Sequence, residues 1–365
     1  MRKLAGAFAL LTLLPLAAPA QPAGGLTGGD GTFYVGAFPN RIYVIDEASE
    51  QVVDTIEMTL GGPPNEMRMS ADGSRMYMRD RTFEQIEVID LETRSTIDTF
   101  TLSEGATKVR IRSLVVSPDD TYAVLLADTA IKHPDRFEIA PRRLLQVDLA
   151  SHEIMREIPW PDGEERTGAS MMFSPDGGLL YLFGGEILAL DTDSFEVIDR
   201  WELSSVEAPD LERFSFGFGV DRNEEPGYFT NLFRVSDPVQ NRRLMGIARI
   251  NLAERDVDFY TLGPDEPLSS FSLAPDRRKA YAVLKRIGHY EIWTFDLEGR
   301  RVERRQVVEG RPRMSLGVST NGRLLYVHQA GATIDLLEAS TYRYLRTISL
   351  AGDMTNLFLV PGRGQ

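Results

Sequence analysis

The sequence contains no cysteine and only four histidines. The absence of cysteine excludes disulfides, thiolate metal sites, iron–sulfur clusters, a thiol nucleophile and the CxxCH site to which c-type haem is attached. The histidines lack the spacing of a metal centre, and no HExxH, Walker, GxSxG or EF-hand motif occurs. We therefore assign no catalytic, cofactor-binding or metal-binding residue to this chain.

Positive charge is also scarce. The 365 residues include 40 basic and 54 acidic side chains, which gives a net charge of −14. Nucleic-acid phosphates are bound by Lys and Arg, so an acidic chain is a poor candidate for a nucleic-acid partner. Hydrophobic residues at 42% and charged residues at 26% are typical of a folded globular protein.

The first twenty residues have the pattern of a secretory signal peptide. Arg2 and Lys3 precede an apolar run from Leu4 to Leu16, and Ala18-Pro19-Ala20 forms a small-x-small cleavage site. We expect cleavage after Ala20 and export to a periplasm, with no membrane attachment afterwards. A membrane anchor is the alternative, which Pro15 and the short apolar run disfavour.

Two signals recur along the rest of the chain at intervals of about 40–60 residues. The first is a tight-turn sequence centred on an Asp or Asn, in which Pro, Asp and Gly favour the turn conformation; it occurs at Asp30, Asp72, Asp119, Asp176, Asp221, Asp276 and Asn321. The second is an apolar strand that ends in an acidic or amide residue; it ends at Asp46, Asp90, Asp148, Asp191, Asn251, Asp296 and Glu338. Residues between these markers alternate with period two, as β-strands do.

Four strands per unit and seven units predict an all-β fold, a seven-bladed β-propeller that occupies residues 21–365 as one domain. The C-terminal strand at residues 355–360 has no partner in its own unit. We expect it to complete the first blade and so close the ring. A division into two domains near residue 203 is the alternative.

Two insertions, residues 128–142 and 231–244, lengthen the loops of one face, where binding residues are usually found. They supply basic and aromatic candidates for a partner interface: His133, Arg136, Phe137, Phe233, Arg234, Arg242 and Arg243. The inner strands supply arginines that could bind an anion at the central channel or merely pair with carboxylates: Arg68, Arg110, Arg112, Arg213 and Arg313.

The repeat resembles the YVTN-type propellers and, within them, the β subunit of quinohemoprotein amine dehydrogenases. The similarity covers roughly residues 30–355 and is most specific in three segments: RFEIAPRRLLQVDL from Arg136, GYFTNLFRVSDPVQNRRLMGIARINL from Gly227 and MSLGVSTNGRLLY from Met314. It implies a non-catalytic subunit in periplasmic oxidation of primary amines. The cofactors, a tryptophan-derived quinone and c-type haems, would belong to a small quinone-bearing subunit and a dihaem cytochrome subunit.

Two other functions remain open at this stage. One is a stand-alone periplasmic propeller that binds a protein or a ligand on the same face. The other is an autonomous propeller enzyme such as a lactonase or lyase, which the scarcity of histidine disfavours.

Overall fold

The computed structural model describes residues 25–163, 165–166, 170–203, 212–217, 219–237, 239–309, 315–329 and 331–362. The predicted signal peptide lies outside these ranges. Within them, no helix has the length and apolar character needed to cross a membrane.

The described residues form antiparallel strands and one short 3-10 helix, Pro161–Gly163. The strands before this helix are β1 Thr32–Ala37, β2 Arg41–Asp46, β3 Gln51–Glu57, β4 Pro64–Met69, β5 Arg75–Asp80, β6 Gln85–Asp90, β7 Ser95–Thr101, β8 Thr107–Val116, β9 Tyr122–Lys132, β10 Phe137–Ile139, β11 Arg143–Asp148 and β12 Ile154–Ile158. The strands after it are β13 Ser170–Phe173, β14 Leu179–Phe183, β15 Glu186–Asp191, β16 Val197–Glu202, β17 Glu212–Phe216, β18 Tyr228–Asp237, β19 Arg242–Asn251, β20 Asp256–Pro264, β21 Leu268–Leu273, β22 Lys279–Arg286, β23 His289–Asp296, β24 Arg301–Glu309, β25 Ser315–Val318, β26 Leu324–His328, β27 Gly331–Glu338 and β28 Tyr344–Val360.

These strands form an all-β propeller, but the prediction of seven blades is wrong. The structure has five separate blades, β4–β7, β8–β12, β13–β16, β17–β20 and β21–β24, and one continuous seven-stranded sheet in the order β25-β26-β27-β28-β1-β2-β3. The two ends of the repeat merge because β28 is a single strand of 17 residues. It pairs with β27 through its first part and with β1 through its last part. We call this the terminal sheet.

The predicted turns at Asp72, Asp119 and Asp176 are confirmed, and each links the first and second strands of a blade. In each turn a serine two residues earlier donates a hydrogen bond to the aspartate, at 2.7, 2.6 and 2.5 Å. The serine hydroxyl also accepts a backbone N–H from the start of the next strand. In the first turn the hydrogen bond from the Ser70 hydroxyl, together with those from the backbone and side chain of Ser74, lowers the pKa of Asp72 to about 2.

The core lies between neighbouring sheets, which explains why the central strands are apolar on both faces. In β14, Leu180 and Leu182 pack against the blade β8–β12, whereas Tyr181 and Phe183 pack against the blade β17–β20. All four side chains are buried. Successive side chains of this strand therefore point alternately to the two neighbouring sheets, not alternately to the core and to solvent.

Each outer strand, by contrast, carries a β-bulge. The pairings of β3, β7, β12, β16, β20 and β24 with their inner neighbours all contain a register shift. The extra residues are Val53, Ile97, Met155, Ile198, Leu262 and Glu303. Bulges distort the free edge of a sheet and so hinder its pairing with another strand.

A buried carboxylate fastens the two ends of the chain together. Glu47, which is fully buried just after β2, accepts hydrogen bonds from the backbone N–H groups of Gly31 (2.9 Å) and Thr320 (3.0 Å) and from the Tyr326 hydroxyl (2.8 Å). Burial and the adjacent Glu47 both raise the pKa of Tyr326. These bonds connect the segment before β1 with the turn before β26.

We predict that Tyr326→Phe lowers the free energy of unfolding by about 2 kcal/mol, because it removes one of the hydrogen bonds to the fully buried Glu47 side chain. Urea denaturation measured by circular dichroism checks this. The control is Tyr344→Phe, whose hydroxyl lies at a 59% exposed position and bonds only to Thr347 among the contacts described. Equal stabilities for Tyr326→Phe and wild type would contradict the prediction.

Candidate functional site on the connector face

The links between successive sheets, and the loops between the second and third strands of each sheet, lie on one face of the propeller. We call it the connector face, and we call the face with the Asp-centred turns the turn face. Long loops on a rigid scaffold are common binding positions. The connector face also contains both insertions predicted from the sequence.

The first insertion is a strand extension rather than a loop. β9 pairs with β11 only as far as Ala127, and beyond this residue it pairs with β8 on one side and β10 on the other. A turn closes the hairpin, with the His133 N–H donating to the Arg136 carbonyl at 2.8 Å. We call residues 107–112 and 128–142 the flap.

Three of the predicted interface residues lie on this flap. His133 contacts Glu138 across the hairpin, with Nε2 3.0 Å from a carboxylate oxygen. Arg136 is exposed beside Asp135, and Phe137 is 68% exposed. Their role in partner binding remains a prediction.

The second insertion was predicted to be a loop, and this prediction is wrong. Residues 231–244 belong mostly to the two ten-residue strands β18 and β19. Phe233 is fully buried and contacts Phe259 edge to face, with ring centroids 5.9 Å apart. Phe229 and Val235 lie on the same side of β18 as Phe233, and all three belong to the same core cluster. The prediction that Phe233 contributes to a partner interface is therefore wrong.

The arginines of this second segment do lie at the connector face. The Nε atoms of Arg234 and Arg243 are 2.8 and 3.7 Å from the two carboxylate oxygens of Asp265. The Nε of Arg242 is 3.2 Å from a carboxylate oxygen of Asp237. Each predicted cation is thus held by a carboxylate.

Two arginines per carboxylate is a repeated arrangement on the connector face. The groups are Glu66 with Arg68 and Arg79, Asp128 with Arg112 and Arg142, Glu186 with Arg166 and Arg200, and Asp265 with Arg234 and Arg243. Counted by ion pairs alone, each group has one cation more than it has anions; Asp80 also acts on Arg79 and Glu165 on Arg142. The connector face therefore presents clusters of excess positive charge on a chain whose net charge is −14.

The first three of these groups are connected to one another, and we call them the arginine ladder. The Arg79 guanidinium donates to the Arg112 carbonyl at 2.7 Å, which joins the first group to the second. The Arg142 guanidinium donates to the Arg166 carbonyl at 3.2 Å, which joins the second group to the third. The ladder thus crosses three consecutive blades.

Asp128 is the centre of the ladder. The Nε atoms of Arg112 and Arg142 each lie 2.5 Å from one of its carboxylate oxygens. Burial by itself would raise the pKa of Asp128, but the hydrogen bonds from Arg142 and Arg112 outweigh that effect and lower it. The carboxylate therefore stays ionised and keeps both guanidinium groups in fixed positions.

Arg79 has a structural role within the ladder. Its side chain is only 7% exposed, and its guanidinium lies 4.6 Å from the centre of the Phe83 ring. Burial lowers the pKa of Arg79, and contact with Glu66 opposes this change. Donation to the carbonyls of Ile111 and Arg112 attaches β8 to the preceding blade.

The predicted channel arginines have different surroundings. Arg68 pairs with Glu66, and Arg112 with Asp128. Arg110 is exposed on the flap, opposite Asp128 in the strand register. Arg213 lies on β17 but its side chain is outside the described part of the structure, and Arg313 is outside it altogether. Anion binding by these arginines remains a prediction.

A loop of the blade β17–β20 reaches across to other inner strands. Arg222 donates to the carbonyls of Leu359 (3.1 Å) and Val318, and Asn223 donates to the carbonyl of Leu273 (2.7 Å). A Cβ atom placed on Gly219 would lie 3.0 Å from the Arg68 guanidinium. The loop therefore contacts inner strands from four other positions around the ring.

Apolar side chains are exposed at the tips of several connector-face loops. They are Phe38, Phe137, Ile139, Val239 and Ile287. Apolar tips next to arginine clusters are the composition typical of protein–protein interfaces.

Within the described ranges, no three metal-ligating side chains come together. Two of the histidines pair with carboxylates: His133 with Glu138, and His152 with Asp98 at 2.7 Å. His152 also stacks on Phe100, with ring centroids 4.7 Å apart. Both contacts are those of structural histidines.

Sequence reasoning identified Arg68 and Arg112 but missed the rest of the ladder. One available signal was Arg79, because it continues the apolar strand Met76-Tyr77-Met78, where a buried cation requires partners. Arg142 and Arg166 stand in polar segments and give no comparable signal.

Comparisons with known proteins support the fold alone. No protein-family model matches the chain, and no curated protein matches it. Solved structures do match. The dihydro-heme d1 dehydrogenase NirN in complex with DHE has a TM-score of 0.56 and 14% identity, over 94% of this chain and 78% of that one.

Two further structures are similar over almost their whole length. Apo AztD from Citrobacter koseri has a TM-score of 0.55 and 16% identity, over 92% of this chain and 99% of that one. Hydrazine synthase from Kuenenia stuttgartiensis has a TM-score of 0.50 and 12% identity, over 93% of this chain and 100% of that one. At these identities the likeness establishes a β-propeller and does not transfer an activity.

We predict that Asp128→Asn lowers the melting temperature only where Asp128 is ionised. Because the folded-state pKa of Asp128 is depressed, its stabilising effect is present above the unfolded value of about 3.9 and is lost as the pH falls through the folded value. The difference from wild type should be constant from pH 5 to 7 and shrink below about pH 4. The control is Asp135→Asn, at a 74% exposed flap position. A difference that does not depend on pH would contradict this account.

Proposed function

We propose that this chain is a non-catalytic propeller scaffold that binds a partner protein on its connector face. The observation that carries the proposal is the arginine ladder, in which six arginines pair directly with three carboxylates on an acidic chain, while Asp80 and Glu165 act on two of them from nearby. The exposed apolar loop tips on the same face supply the contact area that such an interface needs.

The finer proposal is that the partners form a periplasmic complex like quinohemoprotein amine dehydrogenase, acting on primary amines. It is supported by the three segments that resemble the β subunit of that enzyme, one of which contributes β10 to the flap. NirN, one of the structural neighbours, is named as a dehydrogenase. With no cysteine, this chain would leave the quinone and the c-type haems to a small quinone-bearing subunit and a dihaem cytochrome subunit.

The test is purification of the tagged chain from its native cells, followed by a visible spectrum and gel analysis. Haem bands and a quinone-bearing subunit should co-purify with the wild-type chain. A chain that elutes alone, without a chromophore, would contradict the amine-dehydrogenase proposal and leave the stand-alone scaffold as the better account.

A pair of charge-reversal variants tests which face binds. Arg136→Glu with Arg243→Glu, both exposed on the connector face, should reduce partner recovery about tenfold through charge repulsion. The matched control is Arg278→Glu with Arg300→Glu, both exposed on the turn face. Equal losses in the two double variants would contradict a docking role for the connector face.

A further inference from the structure

Among the described residues, some backbone groups on the outer edge of β10 have no hydrogen-bond partner. The hydrogen bonds from His133 N–H to the Arg136 carbonyl and from Ala140 N–H to the Thr129 carbonyl fix the alternation of the β9–β10 ladder. Residues 136, 138 and 140 therefore face β9. The N–H and C=O groups of Phe137 and Ile139 point away from it, toward the free edge.

No bulge protects this edge. Every outer strand of the five blades, and β3 of the terminal sheet, has a register shift against its neighbour, whereas β10 pairs with β9 without one. An edge that is regular and exposed is a template for an added strand. The inner edge strands β13 and β25 also pair without a shift, but they are partly buried and contact the inner strands β8 and β21 of neighbouring sheets. Among the edges described, β10 is therefore the regular one whose residues are all exposed.

The side chains on this edge favour an apolar contact. Phe137 and Ile139 lie on the same face of β10 because they are two residues apart, and they are 68% and 71% exposed. A strand placed beside β10 would cover both with its own alternate side chains.

The charge of the flap decides what kind of strand fits. Residues 107–112 and 128–142 contain six cations, Lys108, Arg110, Arg112, Lys132, Arg136 and Arg142, and three carboxylates, Asp128, Asp135 and Glu138. The excess of positive charge favours an acidic segment. It disfavours a second copy of this chain, because two flaps of like charge would repel each other.

We propose that an extended acidic segment of the partner protein adds a strand to the free edge of β10. This rests on the proposed function, since it names how the partner engages the connector face. The main-chain groups of Phe137 and Ile139 supply the hydrogen bonds, and the surrounding cations select acidic side chains.

The test uses a fluorescent peptide of about nine residues in which Asp and Val alternate. A second peptide with Lys in place of Asp is the probe for charge selection. Fluorescence anisotropy at low salt should show that the acidic peptide binds the wild-type chain at least about tenfold more tightly than the basic one.

Ile139→Pro removes the N–H that faces the free edge and leaves the β9–β10 hydrogen bonds in place. It should weaken binding of the acidic peptide about tenfold, whereas Ile139→Val, which keeps the N–H, should leave it unchanged. Ile198→Pro, on the outer strand β16, is the matched control and should also bind normally. Thermal melting confirms that each variant is folded.

Equal binding to wild type and Ile139→Pro, preference for the basic peptide, or no peptide binding would each overturn the proposal. So would a wild-type dimer in sedimentation analysis that Ile139→Pro abolishes, because the occupant of the edge would then be a second copy. If the edge test fails while the arginine reversals still release the partner, the scaffold function stands without strand addition.

Discussion

The pairing of β28 with β1 is the constraint on which the rest of the structure depends. Thr32 to Val35 lie opposite Val360 to Leu357, so the first and last described strands share one ladder. Because β28 also pairs with β27, the same strand belongs to both ends of the repeat. The positions of the five blades between these ends follow from it, because their hydrophobic clusters lie between neighbouring sheets. Glu47 reinforces the closure by bonding to groups near both ends.

The electrostatics of the connector face depend on incomplete neutralisation. A single arginine beside each carboxylate would leave little net charge, whereas two leave an excess in a fixed position. The carboxylate of Asp128 orients both guanidinium groups by short hydrogen bonds, so that little rearrangement is needed when an acidic partner approaches. Arg79 lies deeper and holds the strands that carry the others.

Local features of this fold were predictable because their causes are local. The Ser-x-Asp turns and the alternating strands are written in consecutive residues, and the structure confirms them at Asp72, Asp119 and Asp176. The blade count was wrong because residues 355–360 were predicted to be a separate strand, whereas the backbone continues through Gly352-Asp353 as part of β28. The continuity of this strand cannot be predicted from neighbouring residues, because it depends on the pairing of β28 with β27 and β1.

The site was less predictable because its contacts join distant parts of the chain. Arg68 and Arg112 were identified from their positions on inner strands, but Asp128 and Arg142 are brought to Arg112 only by the pairing of β8, β9 and β11. Phe233 was misassigned because its segment was interpreted as a loop. Its burial follows once residues 228–237 are a strand with a core on that side.

Arg222 changes how the molecule should respond to stress. In a ring of repeats, each unit is stabilised mainly by contacts with its immediate neighbours, so one unit can open without affecting distant ones. The bonds of Arg222 to the carbonyls of Leu359 and Val318 link the blade β17–β20 directly to the terminal sheet, which is not its neighbour in the ring. Separating β28 from β1 would therefore also leave the half-buried Arg222 guanidinium without these acceptors, and this couples the two sides of the ring into one cooperative unit.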